Sequence, residues 1–194
     1  MAATDTTTMP RFTTADLELL PEPLDGRRYE IIDGELHVSK QPSWQHQTVS
    51  GRAFSSLDQW SMQTGAGAAS LAPGVIFADD ENVAPDVVWV SRGRLADVLG
   101  PDGKLYAAPD LAVEVLSPGE ANVRRDRDAK RKLYSLQGVR EYWIVDWQLR
   151  QMHVYRRGDA ALQLIATLYE DDVLESPLLP SFHLQISQLF AGLP

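Results

Sequence analysis

The chain has 194 residues, 44% of them hydrophobic, enough to bury one core of ordinary size. It contains no cysteine, which excludes disulfides, thiolate metal sites and cysteine nucleophiles and fits a reducing compartment, with the cytoplasm as the expected location. A formal net charge of −9 repels phosphate backbones at long range and counts against generic nucleic-acid binding, although Arg124, Arg125, Arg127, Lys130, Arg131 and Lys132 crowd into one short stretch.

Residues 1–12 read as a flexible tail, rich in threonine and without the basic and apolar regions of a signal peptide. Residues 13–194 read as a single domain, and no apolar run approaches the roughly 18 residues of a membrane span. Thr13-Thr14-Ala15-Asp16 before Leu17, Leu19 and Leu20 predicts a short capped helix stopped by Pro21 and Pro23. Next comes a hairpin, in which Tyr29–Ile32 and Glu35–Val38 flank Asp33-Gly34, the dipeptide suited to a type I′ turn. Its register puts Tyr29, Ile31, Leu36 and Val38 on one face and opposes Glu30 to His37 on the other.

Val49, Ala53, Phe54, Leu57 and Trp60 recur at helical spacing and predict an amphipathic helix from Ser43 to about Met62, with Gly65 and Gly67 marking its exit. Short strands are expected over 67–78, a turn at Asp79-Asp80-Glu81-Asn82, and a strand opened by Pro85-Asp86. Residues 91–109, with Gly93, Gly100, Pro101 and Gly103, read as a connection holding one helical turn near 95–99. After the strand Asp110–Leu116, Ser117-Pro118-Gly119 breaks the pattern, and Ala121 to Gln137 predicts a charged helix ended by Gly138. Three strands follow over 141–146, 151–156 and 162–169. Their short connections predict an antiparallel meander, and the strand–helix–strand order from Leu111 to Val145 predicts one parallel crossover.

Two acids stand inside apolar strands, where an unpaired charge costs several kcal/mol. Alternation places Glu114 with Asp110, Ala112 and Leu116, opposite Leu111, Val113 and Val115, while Asp86 lies where its strand enters the sheet. Two carboxylates converging there would suit a hard cation such as Mg²⁺ or Mn²⁺. The charged helix supplies a cation. At about 100° per residue, Ala129, Leu133 and Leu136 define its apolar stripe, widened by Val123 and Tyr134. Lys130 falls on the widened side, Arg131 points away and Lys132 borders the opposite edge. Lys130 is thus the better inward-facing lysine, with Lys132 and Arg127 as alternatives.

These parts resemble the PD-(D/E)xK nuclease superfamily. More narrowly, Tyr-Glu-Ile-Ile-Asp-Gly-Glu around Glu30, His46 after Pro42-Ser43, Pro85-Asp86, Glu114-Val115-Leu116-Ser117-Pro118, Lys130 with Tyr134, and Gly138–Asp146 resemble the Uma-two family of restriction endonucleases. The resemblance runs from about Tyr29 to the Ser176–Pro180 segment. It implies an α/β (α+β) fold, a restriction-endonuclease-like mixed sheet flanked by helices and closed by a C-terminal antiparallel meander. It also implies Mg²⁺-dependent hydrolysis of DNA phosphodiester bonds. Asp86 and Glu114 are the implied metal ligands, Lys130 the catalytic lysine and Glu30 an additional acid. One departure stands out: the superfamily places its lysine two residues after the second acid, and here that residue is Leu116, so Lys130 must reach in from the helix. In such a centre a divalent cation draws charge from a phosphate oxygen and acidifies water, while a lysine orients that water and offsets transition-state charge.

Blander readings exist for each residue. Asp86 could cap a strand entrance, Glu114 could pair with an arginine, Glu30 could form a surface pair with His37, and His46 reads first as a capping or packing histidine. The basic stretch, partly neutralised by Asp126 and Asp128, reads as a solvated face. The functional alternative is a nuclease-fold binding or scaffold protein with little or no catalysis. Glycoside hydrolysis by a carboxylate pair is weaker, because it leaves the helix lysine without a role. The expected partners are DNA and, from exposed strand edges, a second copy in a homodimer; no membrane is implied.

Overall fold

The computed structural model describes residues 10–20 and 27–194. The start of the expected tail and the prolines expected to stop the first helix lie outside the described residues. At the end of that tail, Arg11 pairs with Asp33 and Asp80, and the Phe12 N–H donates to the Gly34 carbonyl.

Helix α1 (Thr14–Leu19) starts where Thr13 donates its N–H to Asp16 at 2.7 Å. Strands β1 (Arg28–Ile32) and β2 (Glu35–Ser39) form the expected hairpin, with Tyr29 opposite Val38 and Glu30 opposite His37. Both turn residues have positive φ, 51° at Asp33 and 69° at Gly34, as a type I′ turn requires. Helix α2 (Trp44–Thr64) is capped by Ser43, whose Oγ accepts the His46 N–H at 3.2 Å, and it ends in a left-handed Gly65.

Strands β3 (Gly67–Leu71), β4 (Val75–Ala78), β5 (Glu81–Val83) and β6 (Val87–Ser91) follow. The expected turn at 79–82 is shorter than read, because Glu81 and Asn82 already pair with β4 and Asn82 with Ile31 of β1. Helix α3 (Arg92–Val98) leaves β6 directly, so the helical part of this connection starts earlier and is longer than one turn. Strand β7 (Leu111–Val115) leads into one helical run made of α4 (Glu120–Arg124), a π-helical stretch (Arg125–Lys130) and α5 (Arg131–Gln137), closed by a left-handed Gly138. Strands β8 (Glu141–Asp146), β9 (Gln151–Arg157) and β10 (Leu162–Tyr169) form the expected meander. A hairpin of β11 (Val173–Ser176) and β12 (Leu179–Gln185) and a short α6 (Ser187–Phe190) complete the described chain.

The main sheet has the order β10-β9-β8-β7-β6-β3, and β7 with β8 is its parallel pair, joined by the helical run as expected. A second sheet, β2-β1-β5-β4, holds the Glu30 hairpin. Each face of the main sheet buries its own core. On one side Val87, Leu111, Val113, Trp143 and Val145 pack on Val49, Ala53, Leu57 and Trp60 of α2 and on Phe182, Leu184, Leu189 and Phe190. On the other, Val88, Val90, Ala112, Leu116 and Ile144 pack with Leu133, Tyr134 and Val139 and with Val75 and Val83 of the second sheet. The second sheet and the helical run are thereby brought to the face of β7 that carries Glu114.

Candidate active site

Strand alternation places the first acid. Arg28 and Glu30 are two residues apart on β1, so they share a face, and both line a cavity of about 30 Å³ that Asp86, Glu114 and Lys130 also line. That volume holds one or two waters. Glu30 is buried rather than part of a surface pair with His37: its Oε1 accepts the Ala84 N–H at 2.9 Å and the Lys130 ammonium at 2.8 Å. Burial opposes ionisation of Glu30, but the charges of Lys130 and Arg125 and the Ala84 amide outweigh it and hold the carboxyl below its ordinary value.

Asp86 sits just before β6 and is fixed from three sides. Its Oδ2 accepts the Val115 N–H at 2.9 Å and lies 3.2 Å from His46 Nε2, and its Oδ1 accepts from Arg28 at 3.1 Å. The amide of Val115 ties Asp86 to the residue next to Glu114, which answers how a strand entrance and a mid-strand acid converge. Here too burial works against the charged form, yet the His46 contact and the Val115 amide prevail and the carboxyl is held low. His46 is therefore a partner of Asp86, beyond the packing role first read for it.

Glu114 differs. Its Oε1 receives both the Lys130 ammonium, at 2.8 Å, and the Tyr134 hydroxyl, at 3.0 Å. The cation beside it is a lysine, not the arginine of the bland reading. Lys130 is shared with Glu30, and burial together with the nearby carboxylates pushes the Glu114 carboxyl up to about 8. Lys130 itself is desolvated, but Glu114, Glu30 and Asp126 around it keep it charged.

Lys130 does face inward, at 1% exposure, but the helix wheel placed it there for an incomplete reason. The buried face of the helical run centres on Asp126, Lys130, Leu133 and Tyr134, whereas Leu136, assigned to the apolar stripe, is 73% exposed. Charged residues occupy the middle of the inward face, so a stripe traced through apolar residues alone was misphased. Lys132 is exposed and Arg127 reaches Asp146 at 3.2 Å, so neither alternative enters the cavity. Asp126 does not belong to a solvated face: it is 1% exposed and takes Arg125 Nε at 2.9 Å. Sequence reasoning missed Arg28, Arg125 and Asp126. Arg28 could have been found from its two-residue offset to Glu30, and Asp126 from its four-residue offset to Lys130. Arg125 depends on the π-helical turn, which the sequence does not announce.

The donor set suits a hard divalent ion held by few protein ligands. Among the described residues no three acids and histidines come together as a closed metal cage. Asp86 offers about four lone-pair positions, of which three are used, and the two hydrogen bonds recorded to Glu114 both fall on Oε1. Two carboxylates with lone pairs still open would fit a Mg²⁺ ion that keeps several of its waters.

A family model named Uma2 and described as "Putative restriction endonuclease" matches residues 14–187. Among solved structures, the chain is similar to a putative nuclease belonging to DUF820 from Anabaena variabilis, at 21% identity over 92% of this chain and 97% of that one, with a TM-score of 0.72. That likeness shows a shared fold over nearly the whole arrangement of sheet and helices. Comparison with curated proteins returns no match.

Proposed function

Since this chain belongs to the Uma2 family, we propose that it is a metal-dependent endonuclease that hydrolyses phosphodiester bonds of DNA, with Mg²⁺ or Mn²⁺ held by Asp86 and Glu114. The observation that carries this reading is the Lys130 ammonium, 2.8 Å from both Glu30 and Glu114, on the wall of a cavity that Asp86 shares. When bound, the ion would supply Lewis acidity toward a phosphate oxygen and an acidified water. Lys130 holds a fixed positive charge where the attacking water and the developing phosphate charge would lie. Glu30, anchored by the Ala84 amide, sets the position of that ammonium, and Tyr134 steadies the shared Glu114 oxygen. His46 and the Val115 amide hold Asp86 in its orientation.

The cysteine-free composition supports a reducing compartment such as the cytoplasm. No helix among the described residues is long and apolar enough to cross a membrane. Strand β10 is an uncharged sheet edge with Leu164, Ile165 and Tyr169 exposed, which supports assembly as a homodimer; light scattering should then give about twice 21.6 kDa.

One observation favours a second reading, a nuclease-fold binding protein without catalysis: Glu30, Asp86 and Glu114 each already have a cation within 3.1 Å. Supercoiled plasmid incubated with Mg²⁺ or Mn²⁺ separates the two. The endonuclease reading expects nicking or cutting that Asp86→Asn and Glu114→Gln each abolish. Cleavage surviving both substitutions would place the chemistry elsewhere, and a protein that neither cleaves nor binds Mn²⁺ would favour the second reading.

A further inference from the structure

The cations around the cavity differ in depth. The side chains of Lys130 and Arg125 are 2% and 11% exposed, whereas that of Arg28 is 30% exposed. Lys130 bridges two carboxylates, and Arg125 holds Asp126 and Ser39. Arg28 has one hydrogen bond recorded among the described residues, to Asp86 Oδ1 at 3.1 Å. Breaking that single, partly solvated contact costs far less than extracting a buried charge from a network.

The other two contacts of Asp86 do not compete with an incoming cation. The Val115 amide is neutral, and both it and His46 fall on Oδ2. Arg28 alone places a permanent charge on Oδ1, the oxygen that the Val115 amide and His46 leave unused. A guanidinium and a divalent ion on one oxygen repel each other, so the ion is bound more favourably once the arginine has moved away. The side chain that can leave lies at the start of β1 and lines the cavity, and its planar fork matches phosphate oxygens bidentately.

We propose that Arg28 is a placeholder cation: it neutralises Asp86 in the ion-free protein, is displaced when a divalent ion takes Oδ1, and then pairs with a phosphate group of the nucleic-acid backbone beside the cavity. This rests on the metal-site reading above. It couples the two binding events, because the arginine becomes available to phosphate only after the ion has arrived. In a chain of net charge −9, such a conditional positive group gives the backbone a foothold where the chemistry is ready.

The test is a calorimetric Mn²⁺ titration of the full chain, wild type against Arg28→Gln, Arg28→Lys and Asp86→Asn, with thermal unfolding as the check on folding. If the Arg28–Asp86 pair is about nine-tenths populated, Arg28→Gln binds Mn²⁺ about tenfold tighter. Arg28→Lys, which restores a cation for Asp86, returns to within roughly threefold of wild type on the same population argument, and Asp86→Asn loses binding. In a second arm, duplex DNA is bound under Ca²⁺ or under EDTA. Arg28→Gln should lower the slope of log affinity against log salt by about one with Ca²⁺ and leave it unchanged with EDTA. Unchanged or weaker Mn²⁺ affinity in Arg28→Gln, with Asp86→Asn still silent, overturns the placeholder and leaves the metal site standing. An equal fall in salt slope with and without Ca²⁺ overturns the displacement. No Mn²⁺ binding by wild type and Arg28→Gln alike overturns both the placeholder and the metal site.

Discussion

The two faces of β7 bury their residues at different cost. Leu111, Val113 and Val115 enter a layer of aliphatic and aromatic side chains in which Trp143 stacks on Phe182 at 6.0 Å and Trp60 meets Trp89 at 5.8 Å. One residue away along the strand, Glu114 sinks among Lys130, Tyr134 and, through that lysine, Glu30 and Asp126. The first face gains free energy with each methylene removed from water; the second pays desolvation that its ion pairs must offset. A fold that needed only stability gains little from the second face, and the difference supports the proposal that function lies on the Glu114 side. It also predicts how each face fails: the apolar one in graded steps, the charged one as a unit.

Lys130→Met should show the largest effect. It leaves Glu30 and Glu114 buried without their shared cation, and chemical denaturation should give a loss of about 3–5 kcal/mol. Adding Glu30→Gln should recover part of that loss, because the carboxyl held ionised beside the lysine is then gone. A loss under about 1 kcal/mol would mean that the cluster is wetter and less coupled than its hydrogen bonds indicate.

On the opposite face, Leu57→Ala removes a fully buried side chain from α2 and should cost about 2–5 kcal/mol, the range for such cavities. Mn²⁺ affinity should be unchanged, since the sheet separates this layer from the acids. A tenfold change in affinity would show that the two faces are coupled.

Asp110, just before β7, offers a pH test outside the cavity. It is fully buried, and although burial raises its pKa, the Ser91 amide and Arg94 outweigh that and hold it below its ordinary value of 3.8. A carboxyl lowered by folding contributes stability above its unfolded value and loses it as pH falls through the folded one. Stability should therefore decline below about pH 4, and Asp110→Asn should flatten that decline. An unchanged acid limb would remove Asp110 from the account.

Ser43→Ala is the smallest. Losing the cap of α2 should cost about 1 kcal/mol. Because Ser43 accepts the His46 N–H, the variant should also loosen His46 against Asp86 and weaken Mn²⁺ binding slightly, while Leu57→Ala leaves it alone.

Much of the framework was legible in the chain. Asp33-Gly34 fixed the hairpin register, the 49–60 spacing gave α2, Gly138 stopped α5, and the meander and parallel crossover followed from element order. Short elements were not legible: β5 has three residues, too few for alternation to register, and the β11–β12 hairpin and α6 lie in a stretch without a strong period. At the site, Asp86, Glu114 and Lys130 stood out because a charge in an apolar pattern is conspicuous. Arg28, Arg125 and Asp126 did not, because each sits among polar neighbours and becomes significant through contacts across elements or through a π-helical turn. Glu30 was ambiguous for a similar reason: its hairpin partner His37 was readable, but the second sheet that buries it on Lys130 is made by pairing β1 with the unread β5.

The central claim, that the charged face of β7 is a metal centre, is tested most directly by diffraction from crystals soaked in Mn²⁺, recorded at the manganese absorption edge. The account predicts an anomalous peak within about 2.5 Å of an oxygen of Asp86 and of an oxygen of Glu114, with Arg28 moved off Asp86. No peak in the cavity, with Arg28 still on Asp86 and Lys130 still bridging Glu30 and Glu114, would contradict it.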